Sequence, residues 1–306
     1  LKRKDLGVIF NHGCGQTLYQ DVIVFHSCHH EWVSIKRKKR GFSAYFSPLD
    51  WFILICEKWN MRRSNKSKVI SVSNFTKEQV KKHFEALEVD VIPNGVNTTR
   101  FSKNENKLGL RKIYNLQETD KIIVFVANEW KRKGLEVLVR VVSKMVNSYN
   151  NIKLVVAGRD LNGAVNFLKE TYRIEDELIY LGEIKDIEKI YQMSDIFCLP
   201  TEEDAFGLVI GEAMSCGLPV VITDRCGIKD YIENYKSGVI VQYDNIEEEL
   251  HLALETLLND QEMCRKIGIY ARKMIEKELS WKMIASKYVQ LAASIDKDRR
   301  EVQGLN

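Results

Sequence analysis

Thr201-Glu202-Glu203-Asp204-Ala205-Phe206-Gly207-Leu208-Val209-Ile210-Gly211-Glu212, followed by Ala213-Met214-Ser215-Cys216-Gly217-Leu218-Pro219-Val220-Val221, is the stretch from which the fold is read. Ahead of it stands Ile196-Phe197-Cys198-Leu199-Pro200, a short apolar run closed by a proline, which predicts a buried parallel strand ending at the carboxyl edge of a sheet. Acidic residues and a glycine-containing turn come next, and a helix is expected to open near Gly207. Open α/β sheets take ligands in the crevice outside the carboxyl ends of their strands, and a helix amino terminus offers unpaired backbone N–H groups to an anion. The expected ligand is therefore phosphorylated. Glu212 falls within the first two turns of this helix, where a carboxylate can accept from both hydroxyls of a vicinal diol.

Outward from this stretch the second half of the chain alternates regularly. Residues 122–126, 152–158, 178–181, 220–222 and 239–241 read as strands, and residues 135–146, 165–172, 187–193, 247–258 and 263–278 as helices. Such alternation specifies a parallel, doubly wound α/β architecture. Residues 281–293 carry apolar side chains at 281, 284, 285, 288, 289 and 292, the pattern of an amphipathic helix. The tail from 296 to 306 is polar.

The first half is less regular. Apolar runs at 6–10, 22–25, 69–73 and 89–92 read as strands, and the aromatic and basic region 42–63 as helix. Thr76 followed by Gln79 has the form of a capping box ahead of a helical stripe. Pro93-Asn94-Gly95 reads as a turn, and residues 98–110 are polar and aperiodic, so the crossing between two domains is placed there.

A chain of 306 residues, 45% hydrophobic and 29% charged, describes a globular protein of two domains. No apolar run reaches the roughly 20 residues of a membrane helix. The net charge is +4, with basic residues gathered early at Lys36-Arg37-Lys38-Lys39-Arg40, Arg62-Arg63, Lys66 and Lys68. Such a field attracts anionic lipid, nucleic acid or a phosphorylated substrate, and charge alone does not choose among them. Nucleic acid is disfavoured because no recognition module accompanies the basic run. Seven cysteines without a Cys-x-x-Cys spacing fit a reducing cytoplasm. The chain opens without methionine and meets a strand almost at once, which suggests further sequence upstream.

The run from Asp204 to Glu212, with Phe206-Gly207-Leu208-Val209 inside it and Ala213-Met214-Ser215-Cys216-Gly217-Leu218-Pro219 behind, resembles the nucleotide-sugar signature of retaining GT-B glycosyltransferases of the GT4 type. That family carries two glutamates with seven residues between them. Here Asp204 stands at the first, shortening the reach to the donor sugar by one methylene. The resemblance implies two Rossmann-like domains with a cleft between them: a partial, acceptor-binding amino-terminal domain over 1–100, a donor-binding domain over 101–280, and a helix over 281–306 crossing back.

It implies an enzyme that moves a sugar from a nucleotide diphosphate sugar, UDP-hexose preferred, to a glycan or lipid-linked acceptor, without a metal or other cofactor. Cell-surface polysaccharide or lipopolysaccharide assembly at the inner face of the membrane is the expected setting. A degenerate, non-enzymatic binding subunit is the alternative. By the same resemblance Glu212 holds the ribose, and Phe206, Gly207 and Leu208 belong to the nucleotide-binding turn. Asn128-Glu129-Trp130-Lys131-Arg132-Lys133-Gly134 is similar to the family's phosphate loop, which assigns Lys133 to the diphosphate. Asn128 stands where many members have arginine, and Arg132 is the expected partial substitute. The family's donor-facing histidine is matched best by His26, with His29 and His30 as rivals. Those three with Cys28 also invite a zinc reading, but their spacing is cramped and no second cluster completes a site.

Overall fold

The computed structural model describes residues 7–13, 20–40, 47–62, 67–84, 88–104, 106–160 and 163–302. The chain divides into two compact units, one formed by Leu1–Asn94 with Lys282–Asn306 and the other by Gly95–Trp281.

In the first unit β1 (Phe10–His12), β2 (Val22–Phe25), β3 (Lys68–Ser71) and β4 (Val89–Val91) make a parallel sheet in that order. Helices α1 (His29–Arg40), α2 (Pro48–Arg62) and α3 (Asn74–His83) connect them. Ile23, Phe25, Cys28, Met61, Val69, Val80 and Val89 form its core. The strand expected over 6–10 is found at 10–12, Leu6 lying outside the described residues. Of the helix expected over 42–63, Pro48–Arg62 is described and residues 42–46 and 63 are not.

The cap of α3 is Ser73 rather than Thr76: Ser73 Oγ accepts from the Thr76 N–H at 3.0 Å, because the helix already starts at Asn74 and leaves Thr76 buried in its first turn. α1 opens at His29, which puts His29 and His30 in its first turn. Its amino terminus is capped from α2, with Glu57 accepting from the backbone N–H groups of His29 and His30 at 3.0 and 3.1 Å.

The second unit holds a six-stranded parallel sheet in the order β10-β9-β8-β5-β6-β7. Its strands are β5 (Lys121–Val126), β6 (Ile152–Ala157), β7 (Leu178–Gly182), β8 (Ile196–Leu199), β9 (Val220–Thr223) and β10 (Val239–Val241). The helices are α4 (Lys107–Ile113), α5 (Trp130–Lys133), α6 (Leu135–Met145), α7 (Ala164–Tyr172), α8 (Ile187–Met193), α9 (Leu208–Ser215), α10 (Ile246–Asn259) and α11 (Gln261–Met274), the last running into a π-helical turn at Ile275–Leu279. The central strands β5, β8 and β9 are apolar on both faces because helices cover both, the mark of a doubly wound sheet. α12 (Trp281–Val302) ends the described chain and belongs, from Lys282 onward, to the first unit.

The division between units falls at Asn94 and Gly95 and not within 98–110. Val96 is the reason: its N–H donates to the Leu279 carbonyl at 2.7 Å and its carbonyl accepts from Trp281 at 3.2 Å. Phe101 follows it into the second unit's interior, 5% exposed, with Ser215 Oγ on its carbonyl at 2.6 Å. The polar appearance of 98–110 conceals α4, a two-turn helix too short to show a period.

Candidate functional site

In the second sheet the strand order reverses between β5 and β8, which are neighbours although β6, β7 and four helices separate them in sequence. The crevice outside the carboxyl ends of such a pair is where doubly wound sheets bind ligands. Two stretches leave it: residues 127–134 after β5 and 200–207 after β8. They are joined backbone to backbone. Glu202 N–H donates to the Arg132 carbonyl at 2.9 Å, and Arg132 Nη1 donates to the Glu203 carbonyl at 2.6 Å. Gly134 makes the approach possible, because a Cβ there would lie 2.1 Å from the Pro200 carbonyl oxygen, and its φ of +83° closes the single turn α5.

This packing brings Lys133 and Asp204 together, Nζ to Oδ2 at 2.5 Å, with side chains only 14% and 15% exposed. Arg132 is beside them. It pairs with Glu129 at 2.9 Å, and although burial opposes its charge, Glu129, Asp204 and Glu203 together hold the guanidinium pKa above its usual range. Asn128 accepts from the Arg159 N–H at 3.1 Å, a structural bond that a longer cationic side chain would not make.

Asp204 is itself held by the turn it starts. Its Oδ1 accepts from the Phe206 N–H at 3.2 Å, and its backbone bridges to Cys226. Gly207 then adopts φ +88° and begins α9 with no side-chain cap; the Ile210 N–H turns back to the Gly207 carbonyl at 3.0 Å, so the dipole end of the helix lies at Leu208 and Val209. A Cβ at Gly207 would meet Ile210 Cδ1 at 2.6 Å and Cys226 Sγ at 2.8 Å. Leu208, the first helical residue, is 44% exposed. Phe206, expected among the nucleotide-binding residues, instead has its ring 2% exposed and its N–H taken by Asp204; it anchors the turn from below.

Glu212 is the fifth residue of α9. Its Oε2 accepts from the Tyr191 hydroxyl at 3.1 Å. Burial raises the Glu212 pKa above the usual carboxylate value, with the Tyr191 bond and the charge of Arg100 opposing that rise. Tyr191 is fully buried, which pushes its own pKa well up and keeps it a donor. Sequence reading placed residues 187–193 in a helix but gave Tyr191 no role, since nothing local distinguishes it from a core tyrosine.

His26 belongs to the first unit, immediately past β2. Its Nε2 lies 3.0 Å from Nδ1 of His12 at the end of β1, and the two rings stack with centroids 5.3 Å apart. Burial, and then His12, lower the His26 pKa. His29 and His30 sit in the first turn of α1, and His30 Nδ1 bonds Glu57, so His30 braces α1 against α2. Among the described residues no three His, Cys, Asp or Glu side chains gather as a metal group.

Residues 106–274 match the model of glycosyl transferases group 1, and residues 1–100 that of Glycosyltransferase Family 4. The chain belongs to the glycosyl transferases group 1 family. It is 30% identical over 231 residues to an uncharacterized glycosyltransferase of Methanocaldococcus jannaschii, a match covering 73% of this chain and 59% of that protein. The chain therefore spans somewhat over half the length of that curated relative. Its fold is that of the GT-B glycosyltransferases. Sucrose-phosphate synthase from Thermosynechococcus elongatus superposes with a TM-score of 0.81 at 20% identity, covering 97% of this chain and 75% of that one. Anabaena HepE, solved in complex with UDP and glucose, superposes with a TM-score of 0.73 at 17% identity, covering 89% and 71%.

Proposed function

We propose that the chain carries out retaining transfer of a sugar from a nucleotide diphosphate sugar, UDP-hexose preferred, to a glycan or lipid-linked acceptor. Assembly of cell-surface polysaccharide or lipopolysaccharide at the cytoplasmic face of the membrane is its setting. The observation that carries this reading is the joining of Arg132, Lys133 and Asp204 beside the uncapped start of α9 at the strand-order reversal. Membership of the family and the UDP and glucose bound by HepE support it. Glu212 takes the ribose hydroxyls, Lys133 and Arg132 the diphosphate, Asp204 the sugar hydroxyls, and the backbone of Gly207 and Leu208 the phosphate nearest α9. His26 of the first unit is the candidate for a hydrogen bond to the sugar.

In the reaction the acceptor oxygen bonds to the anomeric carbon on the face from which the diphosphate leaves. The acceptor proton passes to a leaving phosphate oxygen. Charge develops on that phosphate, and prearranged cations and N–H dipoles stabilise it more than they stabilise the ground state. No metal is invoked.

An anionic membrane surface is the proposed partner of the first unit. α2 is amphipathic in the inverse sense: Leu49, Phe52 and Ile55 are 65%, 58% and 63% exposed, while Asp50, Glu57 and Asn60 are 6%, 3% and 2% exposed. Cations flank this face, with Lys36 Nζ 4.8 Å from the Trp32 ring and Arg37 5.5 Å from that of Trp51. Apolar insertion with basic attraction to anionic lipid is the chemistry of interfacial helices. No helix among the described residues is long and apolar enough to cross a membrane.

A panel of UDP-, GDP- and ADP-sugars tests the reading through donor hydrolysis and calorimetry. Saturable binding and slow hydrolysis of one donor class are expected. The non-enzymatic alternative is favoured by the Asp204 carboxylate that already occupies Lys133, and it takes over if the panel yields neither binding nor turnover.

A further inference from the structure

Glu212 receives a protein donor on one of its two carboxylate oxygens, and that donor is built into the core. Tyr191 lies on α8 with its ring edge-on to Phe197 at 5.9 Å and tilted against Phe101 at 6.1 Å. It is 0% exposed. Phe101 is in turn tied to α9, since its carbonyl accepts from Ser215 Oγ at 2.6 Å. A ring held on two sides cannot follow a moving carboxylate, so the hydroxyl defines where Oε2 must be. Buried hydrogen bonds to charged groups of this kind fix a rotamer as well as a protonation state.

We infer that Tyr191 is the positioning residue of Glu212, holding Oε2 so that Oε1 is the oxygen presented to the ribose diol. The inference rests on the assignment of Glu212 to the ribose. The groups facing Glu212 agree with a site tuned by this one bond. Arg100 and Glu188 pair with each other at 2.9 Å and largely cancel. Cys216, which caps the carboxyl end of α9, stays a neutral thiol because burial pushes its pKa up to about 12. On α11, Arg272 is spent on Glu276 at 2.7 Å and on the Ser215 carbonyl. Tyr191 is left as the group that favours the ionised, diol-accepting carboxylate directly.

Calorimetric titration of UDP and of its 2′,3′-dideoxy analogue into the full chain, as wild type, Tyr191→Phe and Glu212→Gln, tests this. Tyr191→Phe keeps the ring in the core, and melting checks the fold. It is expected to weaken UDP about tenfold, the size of one hydrogen bond to a charged group, while leaving the dideoxy analogue unchanged. The acid limb of UDP binding should also move to higher pH, because the variant loses a donor that favours the carboxylate. Equal loss for both nucleotides, or no loss for either, overturns the inference. Glu212→Gln without effect on UDP overturns instead the ribose assignment beneath it. Should Tyr191→Phe not fold, 3-fluorotyrosine at position 191, a stronger donor of nearly the same size, is expected to move the acid limb of UDP binding to lower pH, and an unmoved limb overturns the inference.

Discussion

Lys133 Nζ stands 2.5 Å from Asp204 Oδ2, an ion pair between residues 71 apart in sequence that meet where the strand order of the second sheet reverses. Any diphosphate that Lys133 receives must share or displace this carboxylate. Lys133→Ala is therefore expected to weaken a nucleoside diphosphate by about ten- to a hundredfold, as loss of a charge-assisted bond does, while the nucleoside alone binds as before. Equal loss for both ligands in parallel titrations would sink the assignment.

Asp204→Glu lengthens the same side chain toward the sugar and restores the family's usual residue. Its carboxylate would be driven past Lys133, so the ranking of donor sugars in the hydrolysis panel should change while nucleotide affinity stays within about threefold. A variant with unaltered ranking would remove Asp204 from the sugar.

The His12 and His26 rings share one hydrogen bond, Nδ1 to Nε2 at 3.0 Å. Burial, and secondly His12, hold the His26 pKa down. His26 is thus neutral at neutral pH. The folded state resists its protonation more than the unfolded chain does, so its contribution to stability is present above the ordinary histidine pKa and is lost as pH falls through that range. Replacing His12 with Asn should raise the His26 pKa toward the usual value, measured by NMR titration of the ring protons. An unmoved titration would show that the two rings do not couple.

At Gly134 a methyl group would collide with the Pro200 carbonyl at 2.1 Å in a left-handed conformation. Gly134→Ala is expected to cost about 3 kcal/mol, from backbone strain plus separation of the two site stretches. Chemical denaturation reads the loss, and nucleotide affinity should fall with it. A variant of wild-type stability and affinity would mean the stretches can part without consequence.

The exposed apolar face of α2 should carry the membrane interaction. Substituting Leu49, Phe52 and Ile55 together by serine is expected to abolish flotation with anionic vesicles and to leave hydrolysis of a soluble donor within about twofold. Vesicle binding that survives the substitution, or that ignores salt and lipid charge in the wild type, would discard this surface.

Much of the fold follows from local patterning. The strands and helices from 121 to 259 sit within a few residues of where apolar runs and periods put them, and the turn before α9 was readable from Pro200, Gly207 and the acidic residues between. Those signals are short-range: a buried parallel strand must be apolar on both faces, and a left-handed turn selects glycine. Where the pattern was weak the reading slipped, at α4, at the Ser73 cap and at the boundary by Val96, because two-turn helices and single backbone bridges leave no period.

The site divides in the same way. Sequence by itself determined the family and the residue types at 132, 133, 204 and 212. Only the tertiary structure decided that Lys133 is already paired with Asp204, that Phe206 faces the core, that His12 is the partner of His26 and that Tyr191 carries Glu212. Each of those depends on which strand lies beside which. A parallel sheet places the ends of β5 and β8 together although their residues are far apart in the chain, and no local property of either segment encodes the meeting.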